Sequence, residues 1–70
     1  MIVEVFKTNV DETKLAEKLV KQLLDHFPGS QINFDMEDCD KILRVEASTV
    51  ISEKIIAILN SHGCSCKLLT

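Results

Sequence analysis

The stretch KILRVEASTVISEKIIAILNSHGCSCKLL, residues 41–69, decides the fold of this chain because its hydrophobic period changes twice. The segment KILRVEA is an apolar, β-branched run that is typical of a strand. The segment TVISEKIIAILNSHG has the spacing of an amphipathic helix, and CSCKLL returns to the alternation of a strand. Residues 41–69 therefore predict a strand, a helix and a second strand, in that order.

The first half of the chain repeats this order. IVEVF and QINFDM have strand character, and ETKLAEKLVKQLLDHF between them places apolar residues at helical spacing until about His26, before Pro28 and Gly29. Two strand-helix-strand units in 70 residues predict the α+β class and a ferredoxin-like βαββαβ sandwich. We expect a four-stranded antiparallel sheet of order 4-1-3-2, with two helices on one face.

Composition limits the chain to a single small domain, residues 1–70. It is 46% hydrophobic and 27% charged with only two glycines and one proline, so no segment has the composition of a linker. The charged N-terminus is too short for a signal peptide, and no apolar run approaches the ~20 residues of a membrane span. Three cysteines fit a reducing compartment. We expect a cytoplasmic protein that binds no membrane and, with a net charge of −3, no nucleic acid.

Glu4 decides which face of strand 1 is expected to contact the helices. Burying an unpaired carboxylate is costly, so Val3 and Val5 are predicted to face the helices, with Ile2 and Phe6 on the open face. Together with two outward residues of the later strands, these form an apolar patch that predicts a protein partner or self-association as a homodimer. The patch consists of Ile2, Phe6, Ile42 and Leu69.

The core and the helix starts are also predicted from the pattern. The centre of the core is expected to contain Leu19, Leu23, Val45 and Ile55, and the buried stripe of helix 2 is expected to be Ile51, Ile55, Ile58 and Leu59. Helix 1 has two candidate caps, Asn9 and Asp11, and Asn9 forms a capping-box pattern with Glu12. The candidate caps of helix 2 are Ser48, Thr49 and Ser52.

Three side chains are candidate metal ligands, because the topology brings their turns to one end of the sheet: Cys64, His62 and Cys39. The strand order separates Cys39 from Cys64, and two ligands without a third are a weak signal. Cys64 and Cys66 have the alternative role of small core residues, and His62 that of a solvated helix-end residue. Cys39 lies among acidic residues of the 37–40 turn, which makes it a poor nucleophile.

No enzyme is expected. The only glycines, Gly29 and Gly63, stand where helices end, so no glycine-rich phosphate loop is present. The first loop, KTNVDE, lacks the arginine of acylphosphatase-like enzymes, and strand 3 lacks the aromatic residues on which RNA-binding domains stack bases.

Two segments resemble the heavy-metal-associated domain of copper chaperones and metal-pumping ATPases. They are LAEKLVKQLLDHFPGSQINFDMEDCDKILRVEA, with Phe27-Pro28-Gly29 where such domains often have Val-Pro-Gly, and STVISEKIIAILNSHGCSCKLL. The family's metal loop, Gly-Met-x-Cys-x-x-Cys, is absent. Its cysteine positions fall on Thr13 and Ala16, or on Glu12 and Leu15, and Val10 fills the position of its buried Met.

Without thiolates in this loop, the resemblance implies a degenerate member that serves as an interaction module, with no cofactor and no strong metal site. The alternative is a divergent metal-binding or metal-transfer protein that holds a copper or zinc ion with Cys64, His62 or Cys39.

Overall fold

The computed structural model describes residues 1–37 and 39–69 and confirms the α+β sandwich. Its elements, in chain order, are β1 (Ile2–Thr8), α1 (Thr13–His26), β2 (Gln31–Asp35), β3 (Ile42–Ala47), α2 (Ser52–Ser61) and β4 (Cys66–Leu68). The strands form one sheet of order β2-β3-β1-β4, in which each neighbouring pair is antiparallel. This is the predicted ferredoxin-like order, counted from the opposite edge.

The core lies between the helices and one face of the sheet. Leu43 and Val45 of β3 are fully buried there, as predicted. Both helices pack against them through residues that are equally inaccessible: Leu19, Leu23, Ile55 and Leu59. Each of these side chains contributes about 1.5–3 kcal/mol through burial. The predicted centre of the core is thereby confirmed.

In β1, the face that was predicted to be exposed to solvent lies toward the helices instead. Phe6 lies opposite Leu43 in the register and is fully buried, and Ile2 shares its side of the sheet. Val3 and Val5 therefore lie on the open face, where Val3 is exposed. The prediction that Ile2 and Phe6 lie outward is wrong.

The reversal has a physical reason. IVEVF places apolar residues at both phases of the strand, and a buried phenylalanine removes more apolar surface from water than a buried valine does. The cost falls on Glu4, which shares the face of Phe6. Glu4 stays only partly buried, although its Oε1 atom is shielded from solvent and has no hydrogen-bond partner among the described residues.

α1 begins without the predicted side-chain cap. Its N-cap is Glu12, which is extended and makes no capping hydrogen bond through its side chain. Asn9 has a different role, because its Oδ1 accepts a hydrogen bond of 2.9 Å from the backbone N–H of Ser65. The Asn9 side chain thus ties the loop after β1 to the start of the last strand.

α2 likewise begins without a side-chain cap. Its N-cap is Ile51, which precedes Ser52 and is 52% exposed. Ile51 is therefore not part of the buried stripe, whereas the predicted Ile55 and Leu59 are. The helix ends as predicted near Gly63, whose φ of +77° lies in the left-handed region that favours glycine.

The turn between β2 and β3 falls at the predicted place. Asp38, one of its predicted residues, lies outside the described residues. After the turn, Lys41 has a positive φ of 48°, and its Nζ donates a hydrogen bond of 3.2 Å to the carbonyl of Met36. The left-handed backbone conformation at the end of this turn is thus adopted by Lys41 rather than by a glycine.

Candidate functional site

The candidate ligand Cys39 lies apart from the other two candidates. It is exposed in the turn between β2 and β3. Cys64 is buried next to the start of β4, at the opposite edge of the sheet. Two strands, β3 and β1, lie between these edges. The structure therefore does not bring Cys39 together with Cys64, in agreement with the separation expected from the strand order.

His62 is held against the end of α2. Its Nδ1 lies 2.9 Å from the carbonyl oxygen of Ile58 and 3.3 Å from the Ser61 hydroxyl. A ring that donates from Nδ1 to this carbonyl adds to the hydrogen bond of 2.6 Å that the same carbonyl accepts from the Ser61 hydroxyl. The imidazole thus has a structural role at the C-terminus of α2.

The two cysteines near β4 are poor sources of thiolate. Cys64 is 6% exposed, and its Sγ lies 3.8 Å from the carbonyl oxygen of His62. Burial raises the pKa of the Cys64 thiol. Burial, and secondarily the neighbouring Cys64, raises the pKa of Cys66 to about 11. Because a soft metal binds the thiolate, these shifts weaken any site built on this pair.

No metal centre assembles in the described part of the chain. Among residues 1–37 and 39–69, no group of three or more His, Cys, Asp or Glu side chains is placed to hold one ion. Heavy-metal-associated domains carry their cysteines in the loop after β1. In this chain, Thr8 at the end of β1 forms hydrogen bonds to neighbouring backbone groups instead. There the Thr8 hydroxyl donates a hydrogen bond of 2.6 Å to the Lys41 carbonyl and accepts one of 3.2 Å from the Val10 N–H.

In the part of the chain that the structure describes, one face of the sheet has no helix, and an apolar patch lies on it. Val3 and Val5 follow each other on this face of β1, and Leu69 adjoins Val5 through a hydrogen bond of 2.8 Å from its N–H to the Val5 carbonyl. Ile42 of β3 lies diagonally beside Val5, since its register partner is Lys7. We call these four residues the open-face patch: Val3, Val5, Ile42 and Leu69.

Basic side chains surround this patch. Arg44 lies directly opposite Val5, and Lys7 lies opposite both Ile42 and Lys67. Lys7 also forms an ion pair of 3.5 Å with Asp40. Two acids also lie beside the patch, Glu46 opposite Val3 and Asp35 opposite Ile42. The patch is therefore apolar at its centre, with cationic side chains along β1 and β4 and charges of both signs along β2 and β3.

A second surface lies between α1 and the edge strand β2. It is an open groove of about 580 Å³, lined on the helix by Ala16, Glu17, Val20 and Lys21 and on the strand by Ile32 and Phe34. The sequence pattern did not single out this groove. A signal was nevertheless present, because the predicted strand order makes β2 an edge and leaves Ile32 and Phe34 with only one neighbouring strand.

Comparison with known proteins does not assign this chain to a family, so its class is defined by its fold. No family model, no curated protein and no solved structure matches this chain. No helix of the described residues is long and apolar enough to cross a membrane. The molecule is thus defined as an α+β protein with a ferredoxin-like fold, and its function is argued from its surfaces.

Proposed function

We propose that this chain is a non-enzymatic protein-interaction module, a degenerate relative of heavy-metal-associated domains without a strong metal site. Its binding surface is the open-face patch. The observation that supports this proposal is the exposure of two aliphatic side chains on a sheet face without a helix: Val3 is 39% exposed and Leu69 is 46% exposed. Contiguous exposed apolar surface on a small domain marks an interaction site more often than scattered apolar residues do.

The charges beside the patch define the chemistry of the partner. Lys7, Lys67 and Arg44 are exposed on the open face, and the acids Glu46 and Asp35 lie on the neighbouring strands β3 and β2. Like charges brought together across an interface cost free energy, and complementary charges accelerate encounter. The partner is therefore a protein segment with apolar residues flanked by Asp and Glu. A second copy would bring its own lysines to this face.

The alternative function, metal handling through Cys64, His62 or Cys39, requires ligands that the fold uses otherwise. Cys64 is buried, His62 contacts the end of α2, and Cys39 lies beyond β3 and β1. The described cysteines are all free thiols, which fits the proposed cytoplasmic location. We therefore assign the interaction role to the sheet and no cofactor to the chain.

Selection from a random displayed peptide library tests this function. Immobilised protein should enrich peptides that combine aliphatic or aromatic residues with Asp and Glu. Val5→Glu places a carboxylate in the centre of the patch and should abolish binding of the enriched peptides. The matched control is Leu24→Glu, which alters a leucine of α1 that is 38% exposed on the other side of the molecule, and should bind them normally.

Three outcomes would contradict the proposal. One is enrichment of basic peptides, and another is binding that Val5→Glu does not weaken. The third is a dimer of the wild type that Val5→Glu dissociates, which would assign the open face to self-association. Circular dichroism of both variants should match the wild type, because neither position is in the core.

A further inference from the structure

The edge strand β2 carries features that the open-face patch does not use. Within the described residues β2 pairs only with β3, so its other side presents backbone N–H and C=O groups without a strand partner there. Natural edge strands are usually protected by lysine, proline, a bulge or a very short length. The sequence QINFD of β2 is five residues long and contains neither lysine nor proline. This edge is therefore open to pairing with another strand.

The side chains of β2 alternate in a way that suits such pairing. Ile32 and Phe34 are partly buried toward the α1 groove, and Gln31, Asn33 and Asp35 are exposed on the open side. A strand that pairs with β2 must therefore offer apolar residues on the groove side and polar ones on the other. β2 itself meets this requirement.

We infer that two copies of this chain associate through antiparallel pairing of their β2 strands, with Asn33 of each copy opposite Asn33 of the other. In this register Ile32 lies opposite Phe34 of the second copy, so the faces match. Gln31 then lies opposite Asp35, and an amide can donate to a carboxylate. No pair of like charges is formed along the strand.

Charges on α1 fit the same twofold arrangement. The groove has Glu17 and Lys21 of α1 on one wall and β2 on the other. Asn33 lines the same groove as Glu17 and Lys21, which lie one turn apart on α1. In the proposed dimer, a twofold axis through Asn33 sets the two α1 helices antiparallel, so that Glu17 of each copy can pair with Lys21 of the second copy.

The association also covers apolar surface. Val20, Ile32 and Phe34 line a groove that is open to solvent in a single copy. Side-by-side pairing joins the two grooves across the axis. The contact comprises five residues of strand and one helix face per copy, which places it among small, weak interfaces. Association is thus expected at high protein concentration rather than in dilute solution.

Charge exchange at position 33 tests the register. By sedimentation, the wild type at high concentration should show an apparent mass approaching twice the 7.9 kDa of one chain. Asn33→Lys alone and Asn33→Asp alone should each be monomeric, because each places like charges opposite one another. An equimolar mixture of the two variants should regain the dimer. Asn60→Lys and Asn60→Asp, on exposed positions of α2, are matched controls and should dimerise like the wild type.

Exchange of the charges at Glu17 and Lys21 tests the contact between the two α1 helices. Glu17→Lys and Lys21→Glu should each shift the equilibrium toward monomer, and the double variant should restore the dimer. A wild type that remains monomeric up to its solubility limit would overturn the inference. So would a dimer that Asn33→Lys leaves intact, or a mixture of the position 33 variants that stays monomeric. Val5→Glu should leave this dimer unchanged, which separates the inference from the function proposed for the open face.

Discussion

Phe6 of β1 lies directly opposite Leu43 of β3, and both side chains are fully buried between the sheet and the helices. Removing the ring should leave a cavity that the neighbours cannot fill. Phe6→Ala should therefore lower the free energy of unfolding by about 3–5 kcal/mol, a large part of the stability of a small domain. Urea denaturation followed by circular dichroism measures this change.

The matched control for Phe6→Ala is Val5→Ala, the next residue of the same strand, on the open face. It should cost much less, because Val5 is only partly buried and has no helix above it. Equal losses for the two variants would contradict the assignment of the β1 faces.

Glu4 should be a site at which substitution stabilises the protein. Its Oε1 is shielded from solvent without a hydrogen-bond partner among residues 1–37 and 39–69. Glu4→Met keeps a side chain of similar length and removes the unpaired oxygen, so it should raise the free energy of unfolding by about 1 kcal/mol. Glu4→Gln retains an unpaired polar end and is the control. A melting temperature lowered by Glu4→Met would show that the carboxylate has a stabilising contact.

The Thr8 hydroxyl should contribute substantially to the stability of the folded protein. It donates to the Lys41 carbonyl and accepts from the Val10 N–H, so it joins the segment that ends β1 to the segment that precedes β3. Thr8→Val keeps the shape but leaves both groups without this partner, and should cost about 1–3 kcal/mol. Thr8→Ser retains the hydroxyl and should lose less. If thermal melting showed Thr8→Ser to be the weaker variant, the methyl group rather than the hydroxyl would matter.

Alkaline pH should destabilise the fold through Cys66. Its pKa of about 11 in the folded protein lies above the ordinary thiol value of 9.0, mainly because of burial. The folded chain thus holds a proton that the unfolded chain releases, so the stabilisation is present below about pH 9 and is lost as the pH rises through about 11. Urea midpoints measured across this range should fall for the wild type. Cys66→Ala should reduce the slope.

Metal titration tests the alternative function, metal handling. Cys64 is buried and the loop after β1 offers only oxygen and nitrogen atoms, so we expect no stoichiometric binding of Cu(I) or Zn(II) against a chelator of sub-nanomolar affinity. The reduced wild-type protein is the sample. Retention of one equivalent of metal, lost in Cys64→Ser or in His62→Ala, would establish the metal-handling alternative.

The sequence predicted the structure correctly where a single hydrophobic period dominated a segment. The helix of residues 13–26 has a single apolar stripe, and Leu19 and Leu23 of that stripe are fully buried. Strand β3 alternates without ambiguity, so Leu43 and Val45 were placed correctly. The strand order then followed from the rules that govern two strand-helix-strand units.

The sequence was insufficient where two physical effects opposed each other. In IVEVF the cost of burying Glu4 favours one phase of the strand, and the surface of Phe6 favours the other. Local pattern cannot weigh these, because the outcome depends on the space beneath the helices. The helix caps were missed for a related reason: Asn9 bonds to Ser65, a partner distant in the chain that no capping pattern reveals.

The position of β1 in the middle of the sheet has a consequence for synthesis on the ribosome. β1 precedes both of its partners in the chain, which are β3 and the much later β4, whose Leu68 lies opposite Phe6. Contacts that join such distant segments form slowly, since a long loop must close first. Until β3 has been synthesised, Phe6 therefore lacks the strand against which it is buried, so incomplete folding leaves this apolar side chain exposed to aggregation.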